Sequence, residues 1–304
     1  MDLQGVLPIL PTPFTDDGTV DEASIRRLID FELEVGVHGV SILGFMGEAH
    51  RLSTSERKQI VATVVNQADG SFPTWVGVMA FGAAGAIEQA REAQELGAAG
   101  VFVAPISVQN DRMIFEYYAS VAEALEIPVA IHDFPESYGT ILSAELIARM
   151  ADDIDGIRYI KLEEYPVLAK MSRIQELAGD SIGIFGGLGG VYFLEELQRG
   201  SRGIMTGFAF PEVLLAVYEA FRAGDPQRAA TLFDRYVPLI RYEFQPKIGL
   251  AYRKFVYHRR GIIDSAFIRP PGMQIDDYTR SELTAIIERV GLNLHTCGVQ
   301  RPAP

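Results

Sequence analysis

Residues 156–164 read Gly-Ile-Arg-Tyr-Ile-Lys-Leu-Glu-Glu, a short apolar run that closes on a lysine and two carboxylates. In an extended strand successive side chains alternate between faces, so Ile157, Tyr159 and Lys161 share one face while Ile160 takes the other. Apart from Arg158, both faces are apolar up to the lysine, the pattern of a parallel strand covered on both sides. A lysine in such a wall costs several kcal/mol if it stays charged and unpaired. Lys161 is therefore paired, reaching for water, or kept neutral for chemistry, and the rest of the chain has to decide which.

Seven other runs have the same character: G-V-L-P-I-L, G-V-S-I-L-G, W-V-G-V-M-A, G-V-F-V-A-P-I, I-P-V-A-I-H, I-G-I-F-G-G and R-G-I-M-T-G. Stretches of helical period separate them. In residues 21–36, Ile25, Leu28, Ile29 and Leu33 fall on one face and Gly36 supplies a stop, and Ser53 stands three residues before Glu56, as a capping box requires. Eight strands, each followed by a helix, predict an α/β chain folded as a closed (β/α)8 TIM barrel of about 250 residues. An open doubly wound sheet is the competitor, but the first strand is followed by P-T-P-F-T-D-D-G and not by a glycine fingerprint. After Pro211 the strand signal stops and helices are expected over 212–223, 226–243, 247–259 and 278–291. The expected organisation is a catalytic barrel over 1–224 and a C-terminal helical extension over 225–304 packed on it, with no linker between them.

The formal charge of −13 over 304 residues disfavours nucleic acid and acidic lipid surfaces, and the basic cluster Arg253, Lys254, Arg259, Arg260 is too local to reverse that. No run approaches the length of a membrane span, and the acidic, proline-broken N-terminus is unlike a signal peptide. A single cysteine, Cys297, excludes an intrachain disulfide, and the five scattered histidines have no metal-ligand spacing. A cytoplasmic enzyme of small molecules, with no metal and no cofactor, is the expectation.

In a barrel of this kind the reactive groups gather at the C-terminal ends of the strands. Alternation then turns Lys161, at the end of strand six, toward the barrel interior. The ordered segments G-F-M-G-E-A-H-R-L-S-T-S-E-R, I-P-V-A-I-H-D-F-P-E-S-Y-G-T-I-L-S, Y-I-K, F-G-G and R-G-I-M-T-G resemble the dihydrodipicolinate synthase and N-acetylneuraminate lyase superfamily, over essentially the whole chain. The resemblance implies a (β/α)8 barrel in which Lys161 forms a Schiff base with the ketone of a 2-oxo acid. It also implies that the backbone amides of Phe45 and Met46 hold the substrate carboxylate, that Gly186 lets the backbone approach the substrate, and that the protein is a homo-oligomer, a dimer or a tetramer. Met205, after strand eight, is expected in the pocket wall.

The departures from the synthase are specific. Phe45 and Met46 stand where that enzyme has hydroxyls, His132 where it has a tyrosine, Ser107 for a second tyrosine and Ser137 for an arginine. The strand-five end His132-Asp133-Phe134-Pro135 and the Lys161-Leu162-Glu163 triplet are similar instead to the dehydratases of 2-keto-3-deoxy sugar acids. His132 is the side chain suited to move protons near neutral pH, the alternative being a core histidine bonded to backbone. Tyr138 either reaches the site or packs its loop, Asp133 orients a loop or caps an amide, and Glu48 is structural. A carboxylate beside Lys161 would hold it charged, so Glu163 is expected to turn away or take its own partner. The reading is a Schiff-base lyase, by dehydration or by aldol cleavage. A synthase-like condensation and a non-catalytic barrel that binds 2-oxo acids are the alternatives.

Overall fold

The structure is a computed structural model that describes residues 3–296 and 298–302, so Cys297 lies outside the described residues. Eight parallel strands are present: β1 (Gly5–Pro8), β2 (Val40–Ile42), β3 (Thr74–Val78), β4 (Gly100–Val103), β5 (Val129–Asp133), β6 (Ile157–Leu162), β7 (Gly183–Gly186) and β8 (Gly203–Thr206). Each pairs with its neighbour in the order β1-β8-β7-β6-β5-β4-β3-β2, and a parallel bridge between Ile9 and Ser41 brings β1 back to β2. The sheet is thus a (β/α)8 barrel, as the spacing of apolar runs predicts.

The strands' inner faces are filled by Leu7, Trp75, Phe102, Tyr159, Phe185 and Met205, a plug separate from the larger apolar shell between strands and helices. That plug needs Gly100, because a Cβ there would stand 2.5 Å from the Trp75 ring. Helix starts follow their sequence signals. Asp21 accepts from the Ser24 amide, Ser53 and Glu56 form both bonds of the capping box, and Gly36 ends the first helix at φ 82°.

The helix Pro211–Arg222 completes the barrel's outer ring, and Pro226–Glu243, Gly249–Arg259 and Asp277–Arg289 follow it. Two buried ion pairs tie these last helices to the barrel: Lys254 to Glu48 at 2.5 Å and Arg260 to Glu212 at 2.7 Å. Three members of the basic cluster of the sequence, Arg253, Lys254 and Arg260, are buried, which leaves no basic surface patch there. Among the described residues no helix is long and apolar enough to cross a membrane.

Candidate active site

The mouth of the barrel opens on a cavity of about 390 Å³, within the range of small-molecule sites. Lys161, His132, Phe45 and Met46 all line it. Register brings the first two together, since β5 and β6 pair with His132 opposite Lys161. Lys161 is only 6% exposed and His132 only 2%. The Lys161 amine lies 3.0 Å from His132 Nε2 and is in direct contact with the Glu163 carboxylate.

Glu163 requires a correction to the sequence reading. It takes partners of its own, His132 Nε2 at 3.0 Å and the Leu188 amide at 2.9 Å, yet it faces the lysine as well. The cause is the alternation that turns Lys161 inward, since residues 161 and 163 share a face. Room for this carboxylate comes from Gly187, where a Cβ would fall 2.4 Å from Glu163 Cγ.

The electrostatic consequence differs from the expectation. Burial pulls Lys161 below its ordinary value, and the Glu163 carboxylate offsets that only in part. Burial likewise works to raise Glu163, but the Lys161 charge and the His132 hydrogen bond overcome it and hold the carboxyl at about 2. His132 is lowered to about 4, chiefly by burial and then by the Lys161 charge, so the imidazole is neutral at pH 7.

Tyr138 reaches the site: its hydroxyl lies 3.0 Å from His132 Nδ1. With its proton on Nδ1 the imidazole donates to Tyr138 and leaves Nε2 to accept from Lys161; with the proton on Nε2 it donates to Glu163 and accepts from Tyr138. Either tautomer leaves one ring nitrogen to donate and the other to accept beside the amine. Phe102 and Phe134 flank the imidazole, at ring-centroid distances of 5.5 and 6.1 Å.

Gly186 and Met205 do not line the cavity. Phe185 points into the barrel, so Gly186 faces outward, where a Cβ would collide with the Glu196 carboxylate at 1.7 Å. Met205 is fully buried in the plug, and the next residue, Thr206, reaches the lining. Asp133, on the outer face of β5, neither caps an amide nor holds a loop. It accepts from Lys170 on the helix Val167–Ala178 at 2.5 Å. Glu48 pairs with Lys254, Arg51 and the Arg269 amide.

The C-terminal helices contribute a wall that the sequence did not indicate. Phe244, Gln245, Pro246 and Lys247, with Gly249, Leu250 and Arg253 of the following helix, close one side of the cavity. The only local signal is the proline and glycine that break the helical period between 244 and 249.

An amine shielded at the mouth of a barrel, with two proton acceptors already on it, is what Schiff-base chemistry asks of a protein, and the chain is a class I lyase. It belongs to the dihydrodipicolinate synthetase family, whose profile matches residues 2–290. It is 33% identical over 293 residues to the L-2-keto-3-deoxyarabonate dehydratase of Azospirillum brasilense, with 94% of each chain covered. It is 27% identical over 302 residues to an Escherichia coli (strain K12) protein designated a probable 2-dehydro-3-deoxy-D-pentonate aldolase, covering 95% of this chain and 97% of that one. The crystal structure of a dihydrodipicolinate synthase from Rhodopseudomonas palustris superposes with a TM-score of 0.89 at 35% identity, over 94% of this chain and 97% of that chain. The names of these three similar proteins thus describe three different activities.

Proposed function

We propose that the protein dehydrates a 2-keto-3-deoxy sugar acid through an imine on Lys161, in the cytoplasm and as a homo-oligomer. The single observation that carries this reading is the placement of His132 and Glu163 directly on the Lys161 amine, inside a cavity large enough for such an acid.

The amine must be neutral to attack the C2 ketone. Its proton passes to Glu163 or to His132 Nε2 rather than to bulk water, because both acceptors are already in contact with it. Attack at C2 and loss of the C2 oxygen as water give the protonated imine, which acidifies the C3 hydrogens. The C3 carbon lies one atom beyond C2, so a base beside the imine nitrogen can reach its proton. Removal of that proton gives the enamine, whose electron pair expels the C4 hydroxyl as water once it is protonated. Water then hydrolyses the imine and frees Lys161. The net change is the loss of one water from substrate.

Aldol cleavage would begin from the same imine but would need a base at the C4 hydroxyl, farther from the nitrogen. The cluster of His132 and Glu163 around the amine favours C3 deprotonation. Synthase-like condensation is less well supported, because Phe45 and Met46 offer no hydroxyl relay.

A panel of 2-keto-3-deoxy pentonates and hexonates incubated with the protein tests the reading. Dehydration gives a product lighter by one water and no pyruvate. Stoichiometric pyruvate would transfer the assignment to aldol cleavage, and no turnover of any member would leave a binding barrel.

A further inference from the structure

A 2-oxo acid carries its carboxylate on the carbon that reacts, so the anion must be held near Lys161 while the chemistry proceeds. The β5–β6 side of the cavity cannot hold it, because Glu163 is ionised there and Glu136 adds a second carboxyl to the lining. A cation or a set of free amides is needed elsewhere in the wall.

The lining contains three permanent cations among the described residues: Arg51, Lys247 and Arg253. Arg51 commits its two terminal nitrogens to Glu48 and to the Pro271 carbonyl, at 2.8 and 2.6 Å. Lys247 is exposed in the loop at the mouth. Arg253 differs from both. It is 4% exposed, its Nε bonds no acceptor, and its nearest carboxylate, Glu243, stands 3.6 Å from that nitrogen. Neither terminal nitrogen bonds an oxygen among the described residues; one rests against the Met46 sulfur. A buried guanidinium with this little satisfaction is costly unless something else completes it.

Its surroundings leave space for that partner. A Cβ at Gly207 would lie 3.3 Å from Nε and from one terminal nitrogen, so the glycine keeps the β8 side of the guanidinium open. On the other side lies the turn that carries Phe45 and Met46, whose amides donate to no described residue. Resting on the proposed Schiff-base reading, we infer that Arg253, from the C-terminal helices, is the carboxylate-binding residue of this site. Its planar fork takes the substrate C1 carboxylate together with the Phe45 and Met46 amides, with Glu243 as the nearest carboxylate behind it, 3.6 Å from Nε. The ligand class is a 2-oxo monocarboxylate, and the extension helices thereby become part of the catalytic unit.

The test compares a ketone with a carboxylate and one without. Borohydride trapping on Lys161 is quantified by peptide mass spectrometry against concentration for pyruvate and for hydroxyacetone, in wild type, Arg253→Met and Arg253→Lys. Loss of a charge-assisted pair predicts that Arg253→Met raises half-saturating pyruvate by about 10- to 100-fold and leaves hydroxyacetone trapping within about threefold of wild type. Arg253→Lys, which keeps the charge and loses the fork, falls between them and carries the comparison if the methionine variant does not fold. Equal changes for both ketones, or no change for pyruvate, would overturn the inference. Wild type that traps neither ketone would instead overturn the Schiff-base reading. Calorimetry then decides Arg253 separately, with lactate titrated into Lys161→Ala and into the double variant with Arg253→Lys. Weaker lactate binding in the double variant supports the assignment, and equal or absent binding in both refutes it.

Discussion

Replacing Glu163 with glutamine keeps its shape and removes its charge at the point where the amine is poised. Two unit charges about 4 Å apart attract by about 4 kcal/mol at an effective dielectric of about 20. The glutamine carbonyl still accepts from the Leu188 amide or the lysine, so part of that attraction is replaced, and Lys161 falls further below its ordinary value. The sign is fixed by the chemistry: a carboxylate beside an ammonium favours the charged form, and its removal lets burial act unopposed. Imine formation needs the neutral amine, so the rate of borohydride trapping with pyruvate rises with pH through the lysine pKa. In Glu163→Gln that rise should move to lower pH, while turnover falls by about 10²-fold because a proton acceptor has been lost. A rise that stays in place, or that moves to higher pH, would refute the account of how the amine is kept reactive.

His132→Ala should lower turnover by about 10²- to 10⁴-fold while leaving a trappable imine on Lys161, and a loss below about threefold would remove the imidazole from the mechanism. Tyr138→Phe deletes the hydroxyl on His132 Nδ1 and should cost about 5- to 20-fold in kcat with an unchanged KM for substrate, as measured by steady-state kinetics. Gly187→Ala drives a Cβ into Glu163 Cγ and should produce a defect at least as large as that of Glu163→Gln in the same assay; wild-type rates in this variant would mean the carboxylate does not need its position.

The barrel is readable from the chain because each strand is buried on both faces and each helix on one, so hydrophobic period and element type coincide. Lys161 follows from the same logic, since Tyr159 in the plug fixes the parity of the strand's end; Ile157, expected on the same face, lies in the outer shell beyond a register shift. Where parity was not carried far enough the reading failed. Applied two residues further it turns Glu163 inward, but the cost of a carboxylate beside a reactive amine argued the other way. Burial settles that conflict by lowering Lys161 despite the neighbouring charge. On β7 the inward residue is Phe185, so the glycine that matters to the site is Gly187 and not Gly186. Met205 has the inward parity but is buried within the plug and does not reach the cavity lining.

The contribution of the C-terminal helices was not legible for a different reason. A helical period identifies an apolar face but not which surface of the barrel that face meets. Arg253, Lys254 and Arg260 therefore read as a local basic cluster, although the first lines the cavity and the other two pair with Glu48 and Glu212 across the interface.

The account depends on Lys161 acting as a covalent nucleophile in a water-poor cavity. Reduction with borohydride in the presence of pyruvate, followed by digestion and mass spectrometry, tests that directly. The expected result is a single adduct on the peptide carrying Lys161, absent from Lys161→Ala. An unmodified Lys161 peptide, or an adduct on another lysine, would contradict it.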